Sequence, residues 1–146
     1  MVKTRRSSIV ESLVTKLKDI SLVNGYITDL GGQVLSKLIF WDEINEYPFV
    51  CVTAGPENIV HQGGGAKDRY LTVAVRLYVK DEEATLALEK LLEDIETVID
   101  NNGRLAYVDT SGNTGMTRDI IITSIDTDQG TLTPLGVGEM TLQVKY

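Results

Sequence analysis

The chain has 146 residues, 42% of them apolar, and carries 14 basic against 21 acidic side chains for a net charge of −7. A chain of this length fits one domain, able to bury roughly 70% of its unfolded surface without a metal or a disulfide. The acidic balance argues against a general nucleic-acid binder, which needs clustered Lys and Arg to neutralise phosphates.

Cys51 is the single cysteine, so no intrachain disulfide can form and nothing points to an oxidising compartment. The basic start leads into an amphipathic segment rather than a continuous apolar one, unlike a signal peptide. No run approaches the roughly 20 apolar residues of a membrane span. A soluble, cytosolic chain is expected. Its charge is uneven: Lys3, Arg5, Arg6, Lys16 and Lys18 against Glu11 and Asp19 give residues 1–20 a net +3, leaving −10 for the rest. One end of the first helix is a basic handle on an acidic body.

That first helix is predicted to start at Ser8, with Glu11 reaching back to complete a capping box. Ile9, Val10, Leu13, Leu17 and Ile20 recur at helical spacing, and Asn24-Gly25 ends the helix. A short strand over 26–30 and a turn at Gly31-Gly32 follow. Residues 34–41 are a candidate second strand whose apolar phase fits neither strand nor helix. Residues 48–54 read as a strand that stops at the turn pair Gly55-Pro56. Residues 57–67 read as a mobile connection around Gly63-Gly64-Gly65.

Residues 68–79 carry the clearest pattern. Leu71, Val73, Val75, Leu77 and Val79 alternate with Tyr70, Thr72, Ala74, Arg76 and Tyr78, a strand with one apolar face and one mixed face. The mixed face is suited to another part of the protein or another subunit. Asp81 is placed to cap a second helix that buries Ala84, Leu88, Leu91, Leu92, Ile95, Val98 and Ile99. Glu82 and Glu83 belong to its first turn, where the helix dipole favours them. Glu89, Glu93, Asp94 and Glu96 make its outer face acidic, and Asn101-Asn102-Gly103 supplies a left-handed stop. Residues 104–117 form a long loop or a hairpin. Strands over 118–125 and 139–146 flank a turn-rich connection.

Catalytic motifs are weakly supported. His61 is the sole histidine, and Cys51 lies within an apolar strand, where a buried inert thiol is the simpler reading. Gly63-Gly64-Gly65-Ala66-Lys67 lacks the Gly-Lys-Ser/Thr ending of a phosphate loop and precedes a strand. Asp126-Thr127-Asp128-Gln129-Gly130 has calcium-loop carboxylates, but its glycine comes one position early and Val137 stands where a bidentate glutamate is required. The acids of the second helix lie on a solvated face that cannot separate the pKa values of an acid and a base. No catalytic, cofactor-binding or metal-ligating residue is assigned.

Several segments, taken in order, do carry a signature. They are the first helix with Arg5 and Arg6, Gly25-Tyr26-Ile27-Thr28, and Tyr47-Pro48-Phe49-Val50-Cys51-Val52 with Gly55-Pro56-Glu57 behind it. Asp68-Arg69-Tyr70-Leu71-Thr72-Val73 and Leu88-Glu89-Lys90-Leu91-Leu92-Glu93-Asp94-Ile95 follow. Asp126-Thr127-Asp128-Gln129-Gly130, Pro134 and a closing Val144-Lys145-Tyr146 complete it. In their order and spacing, over nearly the whole chain, these segments resemble the tail terminator (tail completion) proteins of long-tailed bacteriophages.

The resemblance implies a single α+β domain with two main helices packed on one face of a mixed, largely antiparallel β-sheet. It implies a hexameric ring that caps the tail tube, stops its polymerisation and offers a surface to the head-tail connector protein, with DNA passing through without specific binding. No catalytic residue is carried over, and the location implied is the head-proximal end of the virion tail, assembled in the host cytoplasm. Charge separation adds a subunit interface in which Arg5, Arg6, Lys16 or Lys18 face Glu89, Glu93 or Glu96 of a neighbour, with Arg76 and Tyr78 on the mixed strand face. The polar loops suggest tube or connector contacts through Glu57, His61, Gly63, Gly64, Gly65, Lys67, Asp109, Asn113 and Arg118. Two other readings fit the same residues: another neck component, such as a head-tail joining or closure protein, and a small ligand-binding domain or enzyme with the glycine loop over a pocket.

Overall fold

A computed structural model describes residues 4–146. Lys3, counted above in the basic end, lies outside the described residues. The elements run α1 (Arg5–Leu17), β1 (Val34–Leu35), a 3-10 turn (Trp41–Glu43), β2 (Phe49–His61), a tip turn (Gly63–Gly65), β3 (Lys67–Lys80), α2 (Ala84–Asn101), β4 (Ala106–Val108), β5 (Thr114–Met116), β6 (Asp119–Thr127) and β7 (Leu135–Lys145). Five strands form one sheet in the order β1-β2-β3-β7-β6, and β4 and β5 pair separately. Only β1 runs parallel to its neighbour; the other pairs of the large sheet are antiparallel. The fold is a single α+β domain with a mixed, largely antiparallel sheet.

The alternation in 68–79 sets the core. Leu71, Val73, Val75, Leu77 and Val79 join Met140, Leu142 and Val144 of β7 in one buried cluster, which also holds Ile9, Leu13 and Leu17 of α1 and Leu88, Leu91, Ile95 and Ile99 of α2. Burying one such aliphatic side chain is worth about 1.5–3 kcal/mol, so this layer dominates stability. A second cluster forms around Tyr78 and Cys51, with Ile44 buried beside them and Ile39, Tyr47, Phe49 and Val137 partly buried.

Local chemistry corrects several sequence expectations. Helix α1 starts at Arg5, three residues before Ser8: Thr4 is the N-cap, and its side chain and that of Ser7 exchange the capping-box bonds. Ser8 lies inside the helix, where its Oγ accepts from the Val108 N–H, and Ser12 Oγ donates to the Ala106 carbonyl. These two hydroxyls hold β4 against α1. The helix ends at Leu17, before Asn24-Gly25, although Ile20 is still buried.

Residues 26–30 are not a strand, and β1 spans only Val34–Leu35. Asp94 explains the first of these. Rather than facing solvent on the acidic side of α2, it is 3% exposed and accepts from the Ile27 and Thr28 backbone N–H groups and the Thr28 hydroxyl. That carboxylate takes the donors a sheet would otherwise have used.

Gly55-Pro56 does not end its strand. It is a bulge between Ala54 and Glu57 through which β2 continues to His61, paired with β3 from Lys67. Residues 57–67 therefore form the outer part of a β-hairpin instead of a mobile loop. In α2 the residue before the helix is Glu83, whose N–H donates to Asp81 Oδ1, so Glu82 and Glu83 precede the first turn. Its C-cap Asn102 has φ −131°, and Gly103 is not left-handed; the Asn102 side chain instead donates to the Val98 carbonyl. Residues 104–117 contain the β4–β5 hairpin, and β7 begins at Leu135, four residues earlier than expected.

Candidate functional site

The bulge at Gly55-Pro56 decides what the far end of the sheet presents. Three residue steps along β2, from Ala54 to Glu57, span two along β3, from Val73 to Leu71. An extra residue reverses which face later side chains occupy, and Glu57 is thereby brought to the side of Leu71, beside the N-terminal turn of α1. Its carboxylate takes a hydrogen-bonded ion pair from Arg69 Nη1 at 2.8 Å and a hydrogen bond from the Tyr146 hydroxyl, with Arg6 Nε at 4.0 Å. Arg6 also donates to the Gly55 carbonyl, pinning the bulge itself. The Glu57 side chain is only 9% exposed, so its charge depends on these partners.

Arg5 lies over the Tyr146 ring at 5.7 Å, and the Tyr107 ring meets Tyr146 edge-on at 5.6 Å. Burial and the Glu57 carboxylate together push the Tyr146 phenol up to about 12. Thr4, Asp109 and Thr110 complete the walls of this open recess of about 280 Å³. The result is a preorganised charged corner joining α1, the β2–β3 hairpin and the last strand.

Past this corner the β2–β3 hairpin projects as a two-stranded arm. Pairing of β3 with β7 stops at Tyr70, whereas pairing of β3 with β2 continues to Lys67. Ile59, Val60 and His61 are exposed on the arm, and Gly64 and Gly65 turn its tip with φ of 74° and 85°. Asp68, opposite Val60 in the outer part of the arm, accepts from Arg118 Nη1 at 3.2 Å and Gln62 Nε2 at 3.0 Å, linking the arm to the start of β6. In the β4–β5 turn, Asp109 Oδ1 accepts from the Ser111 and Asn113 N–H groups.

The remaining candidate residues are distributed as follows. Lys16, Glu89 and Glu93 are exposed. Arg76 pairs with Glu139 at 3.2 Å on the mixed face of the sheet. Tyr78 is 4% exposed beneath the 39–47 segment of its own chain, so it is not on the surface of the folded subunit. The mixed strand face therefore meets another part of the same chain at that point. Cys51 is fully buried beside it, and burial pushes its thiol up, away from the reactive thiolate.

A larger open depression, about 540 Å³, lies between Thr28, Gln33, Tyr47, Pro48 and the start of α2. Its charged residues Asp29, Lys80, Asp81, Glu83 and Lys90 are all exposed at its rim. A solvated rim gives no strong separation of acid from base, and neither His61 nor Cys51 reaches it. Among the described residues no three His, Cys, Asp or Glu side chains gather as a metal site, and no helix is long and apolar enough to cross a membrane.

Neither the Glu57–Arg69–Tyr146 corner nor the burial of Asp94 was assigned from the sequence. The signal for the corner was Gly-Pro followed by an acid inside a strand pattern, read as a turn when it is a bulge. Tyr146 was read only as the last position of the closing strand.

The chain is thus an α+β domain with a projecting two-stranded arm, a charged corner and open, solvated depressions. Comparison with known proteins makes this specific. The family described as bacteriophage tail tube terminator protein matches residues 3–146. The tail tube terminator protein of Escherichia phage T5 is 35% identical over 150 residues, covering 97% of this chain and 92% of that protein. A chain from the virion of a native gene transfer agent particle shares the fold, with a TM-score of 0.64 at 7% identity over 94% of this chain and 93% of that one. The chain belongs to the bacteriophage tail tube terminator family, and its role is that of a structural component of the phage tail.

Proposed function

We propose that the chain closes into a hexameric ring that sits on the head-proximal end of the tail tube, halts its polymerisation and provides the surface for head attachment. Its partners are copies of itself, the tail tube protein and the head-tail connector protein, and it makes and breaks no covalent bond. DNA passes through the ring without specific binding, helped by the net charge of −7, because like charges repel within a Debye length of about 8–10 Å. The ring assembles in the host cytoplasm before or during docking on the tube.

The observation that carries this reading is the match of residues 3–146 to the terminator family, on a domain with a projecting arm suited to docking. The arm residues His61, Gly63, Gly64, Gly65 and Lys67 and the turn residues Asp109 and Asn113 are the tube or connector contacts in this account. Exposed Lys16 and Lys18 on one subunit face Glu89 and Glu93 of the next. Arg5 and Arg6, placed in that interface from the sequence, act at least partly within the chain by fixing the Glu57 corner.

The test is to add the purified protein to polymerising tube protein and measure tube lengths by electron microscopy. Shortened tubes, each bearing an extra ring at one end, are expected. Tubes of unchanged length would reject the proposal.

A further inference from the structure

The large sheet ends differently on its two sides. On one side β6 pairs with β7, and among the described residues no strand pairs its other edge. Protected edge strands are short or carry Lys or Pro. β6 has nine residues and neither of these, and its charges, Asp119 and Asp126, lie towards its ends. Six of its residues are exposed, with Ile121 at 50% and Ile125 at 39%. A bulge between Ile122 and Ser124 is its one irregularity.

On the other side β1 covers β2 only at Val50 and Cys51. Among the described residues, the arm portion of β2, residues 57–61, has β3 on one side and no strand on the other. It too exposes aliphatic side chains, Ile59 at 42% and Val60 at 46%.

We propose that β6 of one copy pairs with residues 57–61 of β2 in the next copy, extending the sheet across the subunit boundary. The occupant is a second copy because this chain carries both halves of the contact at opposite sides of one sheet. Each half exposes unpaired backbone groups flanked by Ile or Val, and pairing satisfies the groups while covering the side chains. The end charges agree, since β6 is bounded by exposed Asp119 and Asp126 and the arm ends in exposed Lys67. Unlike edges meeting head to tail make a heterologous contact, the kind that closes into a ring; β6 meeting β6 would stop at a dimer. This inference rests on the ring reading and assigns the arm's backbone edge to the neighbour, leaving the Gly63–Gly65 tip and the exposed His61 side chain for the tube.

The experiment places a cysteine at 121 together with one at 58, 59 or 60 in turn, in a Cys51→Ala background, and reads crosslinks on a denaturing gel after air oxidation. All four positions are exposed, and circular dichroism checks the fold of each variant. At least one pairing is expected to give a ladder of several subunits, while Ile121→Cys alone gives none. In parallel, Ile121→Lys should lower the assembled fraction about tenfold at fixed concentration. Rings by native mass spectrometry with no crosslink at any pairing, or rings unaffected by Ile121→Lys, would overturn the edge contact while sparing the ring. Dimers from Ile121→Cys alone would show a two-fold contact and overturn it. A monomer for the unaltered chain would overturn both.

Discussion

The Tyr146 hydroxyl donates a hydrogen bond to Glu57 Oε1, joining residues 89 positions apart and tying the last residue of the chain to the β2 bulge. Arg69 holds the other carboxylate oxygen. The corner from which the arm projects is thus fixed by a buried charge with satisfied partners.

Tyr146→Phe should destabilise the fold by about 1.5–3 kcal/mol, the range for a hydrogen bond to a charged group, measured by urea unfolding. The pH dependence follows from the raised phenol pKa. The folded state holds the proton more tightly than the unfolded one, so this contribution is complete below pH 10 and is lost as pH rises through about 12. The stability difference between the chain and its Phe variant should shrink over that window. A difference that stays constant would separate Tyr146 from the Glu57 interaction.

Asp94 organises the 27–28 segment through three hydrogen bonds while 3% exposed. Asp94→Ala should cost about 1–3 kcal/mol, because it removes three hydrogen bonds to a buried carboxylate. Amide exchange checks the mechanism: the Ile27 and Thr28 N–H groups should lose protection, with β3 retaining its own relative order.

At the arm tip, Gly64 has φ of 74° and Gly65 of 85°, with open space around both. Gly64→Ala should cost about 1–2 kcal/mol of backbone strain without any clash. Deleting 63–65 should spare the fold but weaken capping, seen as longer tubes in the assembly assay. Unchanged tube lengths would remove the tip from the docking surface.

Lys16→Glu with Lys18→Glu should reduce ring formation most at low salt, since exposed pairs are screened as ionic strength rises. Native mass spectrometry across a salt series reads this directly. An oligomer distribution unchanged at every salt concentration would rule out the charge pairing.

Short duplex DNA should not bind tightly at physiological salt, because the protein is acidic and neutralises few phosphates. Fluorescence anisotropy tests this, and tight binding would contradict the proposed channel.

Much of the fold was legible because β3 and α2 each keep one period over their length. Leu71 to Val79 alternate strictly, and Ala84 to Ile99 hold a helical stripe, so local pattern and tertiary burial agree. The sequence reading failed where a long-range contact overrides local chemistry. Gly55-Pro56 looks like a turn, yet pairing with β3 carries the strand through it, and Arg6, 49 residues away, holds its carbonyl. Residues 26–30 look extended and apolar enough for a strand, yet Asp94 claims the Ile27 and Thr28 N–H groups. Asp94 itself matches its acidic neighbours Glu93 and Glu96 in sequence, and only its partner on another segment shows that it is buried.

The most direct test is electron microscopy of tube protein polymerised with and without this chain. Rings seated on one end of tubes that have stopped growing are predicted. Tubes that lengthen equally in both samples, beside free monomers of this chain, would contradict the account.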